Sequence, residues 1–352
     1  MYRFMDLRRR VGWGLGGIFL FTVAALLSSC NSAGGGTAPP AAAVAITAQN
    51  SAQASGAAYQ GASTASSSGS SGTAVLTGTV TVGGGGSPDL ARFARSQLAL
   101  LASLGYTSGT PLLVGGVISR SASCDPPLAG VPGSVAVSFD DADNNGRLSS
   151  GDTLNASFSN CYLASEGKTF SGAFSLTGLT LTGTPSVAGT VWSATATFSF
   201  SNLQISGLAA GDTVQGAFTY SGGSQDGVTI SGSLSGASLS IQRSPGPTLT
   251  LSNFSLSATE DASTGAYSFY GSGRVTDSAL GGYVDFQIPS STPFAGVGSA
   301  DPSSGSMTVT GANGTRVRLT ALGASAVRLD VDTNGDGAYD LTLSESWSDI
   351  AQ

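Results

Sequence analysis

The chain contains no histidine and only one lysine, Lys168, among its 352 residues. The absence of histidine excludes Ser-His-Asp and Cys-His catalysis, histidine-ligated zinc and the usual general base at neutral pH. An enzyme would have to rely on carboxylates, and the three glutamates, Glu166, Glu260 and Glu345, stand in no catalytic motif. We therefore predict that the protein is not an enzyme.

Charge of either sign is scarce, because charged residues make up only 10% of the chain and the formal net charge is −7. A nucleic-acid partner requires many cations to neutralise phosphates, so we exclude that class of partner. Serine, threonine, glycine and alanine dominate instead. We expect a surface that is solvated by hydroxyl groups rather than by charges.

The N-terminus begins with arginines at positions 3, 8, 9 and 10, continues with an apolar run over 11–27, and ends in Ser28, Ser29 and Cys30. This layout resembles a bacterial lipoprotein signal with its lipobox. The resemblance implies that residues 1–29 are removed and that Cys30 carries the lipid anchor to the membrane. Asn31, in place of the aspartate that retains such proteins at the inner membrane, implies the outer membrane, at its periplasmic or cell-surface face. The alternative is an uncleaved transmembrane helix, for which the run is short.

Removing this signal leaves ten cations and twenty acids, a net charge of −10. Residues 30–72 are low-complexity, so we predict a disordered Gly/Ala/Ser linker. A single domain is expected over 73–352. It begins with a strand at 74–82 and one amphipathic helix at 88–104, whose apolar residues recur at helical spacing.

From about residue 110 onward, alternating β-branched and polar residues are separated by turn signals such as Asn313-Gly314. No helical pattern intervenes, so the strands should be antiparallel. About a dozen strands exceed what a flat open sheet tolerates. The predicted fold class is all-β: a large antiparallel meander curled into a barrel, half-barrel or sandwich, with the helix packed on it.

Two cysteines, Cys124 and Cys161, remain once Cys30 is assigned to lipid. An even number in an oxidising compartment predicts a disulfide between them, and two buried free thiols are the alternative.

Residues 141–152, the first acidic loop, have the spacing of an EF-hand calcium loop. The predicted ligands are Asp141, Asp143, Asn145, the Arg147 carbonyl, Ser149 and Asp152. Aspartate replaces the usual glutamate at the last position, which predicts weak affinity. Strands flank the loop in place of helices, so calcium would be structural rather than a switch.

Residues 332–340, the second acidic loop, resemble the D-x-N-x-D-G-x-x-D loops of secreted calcium modules. The predicted ligands are Asp332, Asn334, Asp336, the Ala338 carbonyl and Asp340, with Asp330 in the outer shell. For both loops the alternative is an Asx-rich turn, which Asp, Asn and Gly favour without metal. Eight of the twenty mature acids lie in or beside these two loops, and such crowding favours a cation.

The lipobox, the first acidic loop followed by Phe158-Ser-Asn-Cys161, and the segment from Pro302 to Trp347 together resemble uncharacterised proteobacterial outer-membrane lipoproteins. The resemblance implies architecture only. We expect a lipid-anchored cell-envelope protein with a calcium-stabilised β-domain, in a structural, adhesive or assembly role, with an envelope protein or glycan as partner. The alternative is a carrier or sensor of lipid or another apolar ligand, with the 88–104 helix as its lid. Trp192 and Trp347 either stack on sugar or lie in the core; we favour the core.

Overall fold

The computed structural model describes residues 41–66, 116–124, 130, 133–145, 149–163, 168–185, 189–206, 211–244, 246–298 and 300–350. The predicted signal, Cys30, the strand at 74–82, the helix at 88–104 and Arg147 lie outside the described residues. The strands are β1 Gly116–Ser123, β2 Ser134–Asp141, β3 Thr153–Leu163, β4 Lys168–Gly183, β5 Trp192–Ser206, β6 Gly211–Ser224, β7 Thr229–Ser244, β8 Thr248–Asp261, β9 Ala266–Asp277, β10 Gly282–Ile288, β11 Phe294–Val297, β12 Ser306–Thr310, β13 Arg316–Ala321, β14 Ala326–Asp332 and β15 Leu341–Ser346. The helices are α1 Ser51–Ser66 and the short α2 Trp347–Ile350.

These strands form one antiparallel sheet in which neighbours in sequence are neighbours in space, from β1 to β10 and then β12 to β15. β11 lies off this path: it pairs with β9, and its Ala295 also bridges to Ser304. Within the described residues β1 and β15 are the two ends of the path, so the sheet is open and not a closed barrel. The predicted all-β antiparallel meander is therefore confirmed.

One face of the sheet is a continuous apolar surface, because directly paired residues share a face. One row crosses the strands from Phe139 through Leu154, Leu176 and Phe198 to Phe218, and resumes from Phe286 through Val309, Val317 and Val331 to Leu341. Between these segments, Gly273 leaves room for two rings, since a Cβ there would lie 2.9 Å from Phe254 and from Phe286. Glycine in the strand thus accommodates large neighbours on the same face.

The opposite face of the central strands carries hydroxyl groups. Its rows include Thr177, Thr197, Thr219, Ser235, Ser255 and Ser272 across β4–β9. The Thr195 and Ser221 hydroxyls lie 3.0 Å apart across the β5–β6 pair, and those of Thr259 and Ser268 lie 2.8 Å apart across β8–β9. Such cross-strand hydroxyl pairs contribute modestly to sheet stability, and they agree with the composition.

The helix α1 contradicts part of the predicted linker. Residues 41–66 are ordered: Ala43 bridges to Tyr283 of β10, and α1 contacts β7–β10, β12–β14 and α2. Every residue from Ala54 to Ala62 is buried. The prediction of a disordered segment is wrong here, because alanine, serine and glycine allow a helix to pack closely against a sheet even though they offer little apolar surface of their own.

The C-terminal half of the sheet curls around α1. The Tyr59 ring lies 6.4 Å from Phe269 of β9 and 4.6 Å from Trp347, which directly follows β15. In a flat sheet the five strand spacings between β9 and β15 would separate them by roughly 24 Å. The half-barrel alternative therefore describes this part of the fold.

A disulfide joins Cys124, at the end of β1, to Cys161 in β3, as the cysteine count predicted. The bridge crosses β2 and closes a sequence separation of 37 residues. Among the described strands, β1 pairs with β2 alone, so the bridge adds a covalent link between β1 and the more interior strand β3.

We expect the Cys124→Ala/Cys161→Ala variant to lower the free energy of unfolding by about 2–4 kcal/mol, since a loop of this size loses its closure constraint in the unfolded chain. Urea unfolding followed by circular dichroism measures the change. A variant as stable as the wild type would show that the bridge adds nothing to the fold.

We expect Tyr59→Ala to lower the free energy of unfolding by about 3–5 kcal/mol, as truncation of a buried aromatic side chain does. Gln53→Ala, on the exposed side of the same helix, is the matched control and should change little. Equal, small effects of the two substitutions in urea unfolding would contradict the packing of α1 in the core.

Candidate metal centre

The first acidic loop joins β2 to β3, and the pairing of these strands brings its two ends together. Asp140 pairs with Thr153, so Asp141 ends one strand just where Asp152 precedes the next. Asp141 and Asp152 are buried, with exposed fractions of 2% and 0%, whereas Asp143 is exposed. Among the described residues, Asp141, Asp143 and Asp152 form a group whose carboxylate atoms lie within 4.8 Å of one another. These three predicted ligands therefore converge.

Backbone and hydroxyl donors hold the carboxylates in place. The amides of Ala142 and Ser149 donate to the two oxygens of Asp152 at 2.9 and 2.6 Å. The Asn145 amide donates to Asp141 and to Asp143, at 3.1 Å in each case, and the Ser149 hydroxyl donates to Asp143 at 2.9 Å. Five of the six predicted positions thus belong to one hydrogen-bonded cluster; Arg147, the sixth, lies outside the described residues.

The loop is also fixed to the neighbouring strand. The Gly151 amide donates to the Leu179 carbonyl at 2.8 Å, and the Ser150 hydroxyl accepts from the Leu181 amide at 2.9 Å. Because these bonds are made to β4, the loop is part of the sheet edge and not an independent turn.

The electrostatics of this cluster favour a cation. Burial raises the pKa of Asp152, and the charges of Asp141 and Asp143 raise it further, against the lowering effect of its two amide donors. For Asp143, desolvation acts upward, but the hydrogen bonds from Ser149 and Asn145 outweigh it and the pKa is lowered. A carboxylate whose pKa is raised by neighbouring carboxylates is stabilised in its ionised form when a cation binds between them.

The second acidic loop joins β14 to β15 and is arranged differently. Asp332 is buried and accepts the amides of Gly335 and Gly337 at 2.7 and 2.9 Å. Asp340 turns to Thr333, whose amide and hydroxyl both donate to it at 2.9 Å. Asp336 accepts the Ala338 amide at 2.8 Å, and Asn334 accepts the Asp336 amide at the same distance. Here the described acidic side chains are occupied within their own turns and do not converge as in the first loop.

Three other candidates have structural positions. Asp330 forms ion pairs with Arg318 and Arg328, at 2.9 and 3.2 Å, and accepts the Thr342 hydroxyl, so it belongs to a network on the strands. Trp192 and Trp347 are buried, which confirms the core interpretation over sugar stacking.

Sequence spacing missed Arg316, which reaches into the second loop. Its Nε lies 3.3 Å from a carboxylate oxygen of Asp332, and its Nη2 donates to the Gly337 carbonyl. Only the pairing of β13 with β14, which sets Arg316 opposite Asp332, reveals this contact.

Protein-family models, curated proteins and solved structures were each compared with the chain, and none matches it. Among the described residues, no helix has both the length and the apolarity needed to cross a membrane.

We expect the pKa of Asp152 to lie above its ordinary value in metal-free protein and to fall in the Asp143→Asn variant, because that substitution removes a neighbouring negative charge. Carboxyl-carbon NMR titration in chelator measures it. Asp226→Asn, in the β6–β7 turn, serves as the control. An Asp152 titration that is unchanged by Asp143→Asn would refute the charge coupling.

Proposed function

We propose that the protein is a lipid-anchored component of the bacterial outer membrane, whose β-domain is stabilised by calcium in the first acidic loop and which has a structural, adhesive or assembly role without catalysis. The observation that carries the calcium assignment is the convergence of Asp141, Asp143 and Asp152. The anchor is inferred from the arginines, apolar run and Cys30 of the N-terminus.

Calcium suits this loop because it prefers six to eight hard oxygen ligands on a flexible arc. Three carboxylates, the Asn145 side chain and the Ser149 hydroxyl supply oxygens over a short stretch of chain, and water completes such a shell. The last ligand, Asp152, is shorter than the bidentate glutamate of EF-hands, so we expect an affinity in the extracellular range of about 10⁻⁴–10⁻³ M.

The role of the ion is structural, since strands and not helices flank the loop. An EF-hand sensor works by opening a pair of helices, whereas β2 and β3 are paired along their length by backbone hydrogen bonds. An ion at their junction would fasten the end of the hairpin and the adjoining part of β4.

The hydroxyl-bearing face supports a neutral partner such as a glycan or an uncharged protein surface. A groove of about 540 Å³ on this face is lined by Thr195, Ser221, Ser233 and Ser257, with Tyr270 at one side. Hydroxyl groups offer both donors and acceptors. Tyr270 has an exposed fraction of 37%, which suits packing of its ring against the apolar face of a sugar ring.

We expect calcium to raise the melting temperature of the mature chain carrying Cys30→Ser, and chelator to reverse the increase, because binding to the native state alone stabilises it. Asp141→Asn/Asp143→Asn should abolish the shift, and Asp261→Asn, at the end of β8, should retain it. Thermal melts with native mass spectrometry decide: a shift that survives the double substitution refutes the site, and a co-purified lipid favours the carrier alternative.

We expect Cys30→Ala to abolish incorporation of labelled palmitate and to release the protein from the membrane fraction, because lipid chains would supply its membrane affinity. The unaltered chain, expressed in the same cells, is the reference. Labelling and fractionation that do not change in the variant would refute the anchor.

A further inference from the structure

The two acidic loops differ in their cation chemistry, although their sequences look alike. In the second loop, the residue that the calcium pattern assigns to its first ligand, Asp332, already contacts a positive charge. Arg316 pairs directly with Asp332 across β13 and β14, and its Nε lies 3.3 Å from the Asp332 carboxylate. The same guanidinium donates through Nη2 to the carbonyl of Gly337, inside the loop.

Asp332 requires such compensation because its side chain has an exposed fraction of 0%. A buried carboxylate is costly unless hydrogen bonds and an opposite charge replace its hydration. The amides of Gly335 and Gly337 supply two hydrogen bonds, and Arg316 supplies the charge. One guanidinium therefore neutralises the loop's buried acid and also bridges it to the far side of the turn.

The Arg316 guanidinium also lies over the ring of Tyr339. The Tyr339 ring centre lies 5.3 Å from the Arg316 guanidinium and 4.7 Å from that of Arg318. Arg318 is in turn fixed by Asp330, at 2.9 Å. A cation within about 6 Å of an aromatic ring centre is attracted to it, so the Tyr339 ring favours the position of Arg316 at the loop.

We infer that Arg316 is the built-in cation of the second acidic loop: it takes the place of a calcium ion, and the loop keeps its conformation without metal. A calcium ion that used the Asp332 carboxylate would meet the guanidinium, which lies 3.3 Å from one of its two oxygens, and like charges at that distance repel. Of the two acidic loops, only the first then remains a candidate calcium site. The assignment of Arg316 stands on its own contacts and does not depend on calcium binding to the first loop.

Calcium counting by native mass spectrometry of the mature chain with Cys30→Ser tests this inference. The number of bound ions should be the same in wild type and in Asp336→Asn, which alters an exposed residue of the second loop. Arg316→Gln should gain one ion per chain, and the gain should be lost again when Asp336→Asn is added. Arg316→Lys, which keeps the charge, should gain none.

The inference is overturned if the Asp336→Asn variant binds one calcium ion fewer than wild type, or if folded Arg316→Gln binds no more calcium than wild type. Hydrogen exchange of wild type decides the matter should Arg316→Gln fail to fold: protection of the Gly335 and Gly337 amides should be the same in calcium and in chelator, and calcium-dependent protection overturns the inference. A wild-type count of zero with a count of one in Arg316→Gln refutes the first-loop site but supports the role of Arg316.

Discussion

The close approach of α1 to the curled sheet is the constraint on which the C-terminal half of the fold depends. A Cβ on Gly61 would lie 2.7 Å from a methyl group of Val275, and one on Gly56 would overlap the carbonyl oxygen of Ile350. Interiors of proteins are close-packed, so side chains at these positions would force the helix away from its neighbours. Tyr59 is the one aromatic residue of α1, and its ring contacts Phe269, Phe294 and Trp347 in one aromatic cluster.

Alternation along the strands was sufficient to predict the antiparallel meander, because one apolar face runs through nearly every strand. The helix α1 could not be found in this way, since its apolar residues are almost all alanine and its composition matches that of linkers. A local signal does exist: the Asn50 amide donates to the Thr47 hydroxyl and the Thr47 amide to the Asn50 side chain. This reciprocal pattern is a capping box at a helix start. The spacing of residues cannot show the aromatic side chains of other elements against which this helix packs and which stabilise it.

The acidic loops show the same division between local and long-range information. In the first loop, the side chains that the spacing selects do come together: Asp141 and Asp152, at the two ends of the β2–β3 connection, converge with Asp143. In the second loop, an equally regular pattern of Asp, Asn and Gly forms turns around Asp332, and the decisive contact comes from Arg316 on another strand. The spacing of residues along the chain indicates which side chains could be metal ligands. Only the strand register shows that an arginine occupies the position of the cation.

Because residues 41–66 are ordered, the linker that would connect a membrane anchor to the domain is shorter than the predicted one. In the described part of the chain, the hydrogen-bonded contact with the sheet that comes nearest to Cys30 in sequence is at Ala42–Val44, about a dozen residues later. An extended chain spans at most about 3.6 Å per residue, so this reach is limited to roughly 45 Å. A flexible segment running to residue 72 would have allowed about three times that distance. For an anchor on Cys30, this bound would apply to Ala42, where the described chain joins the sheet.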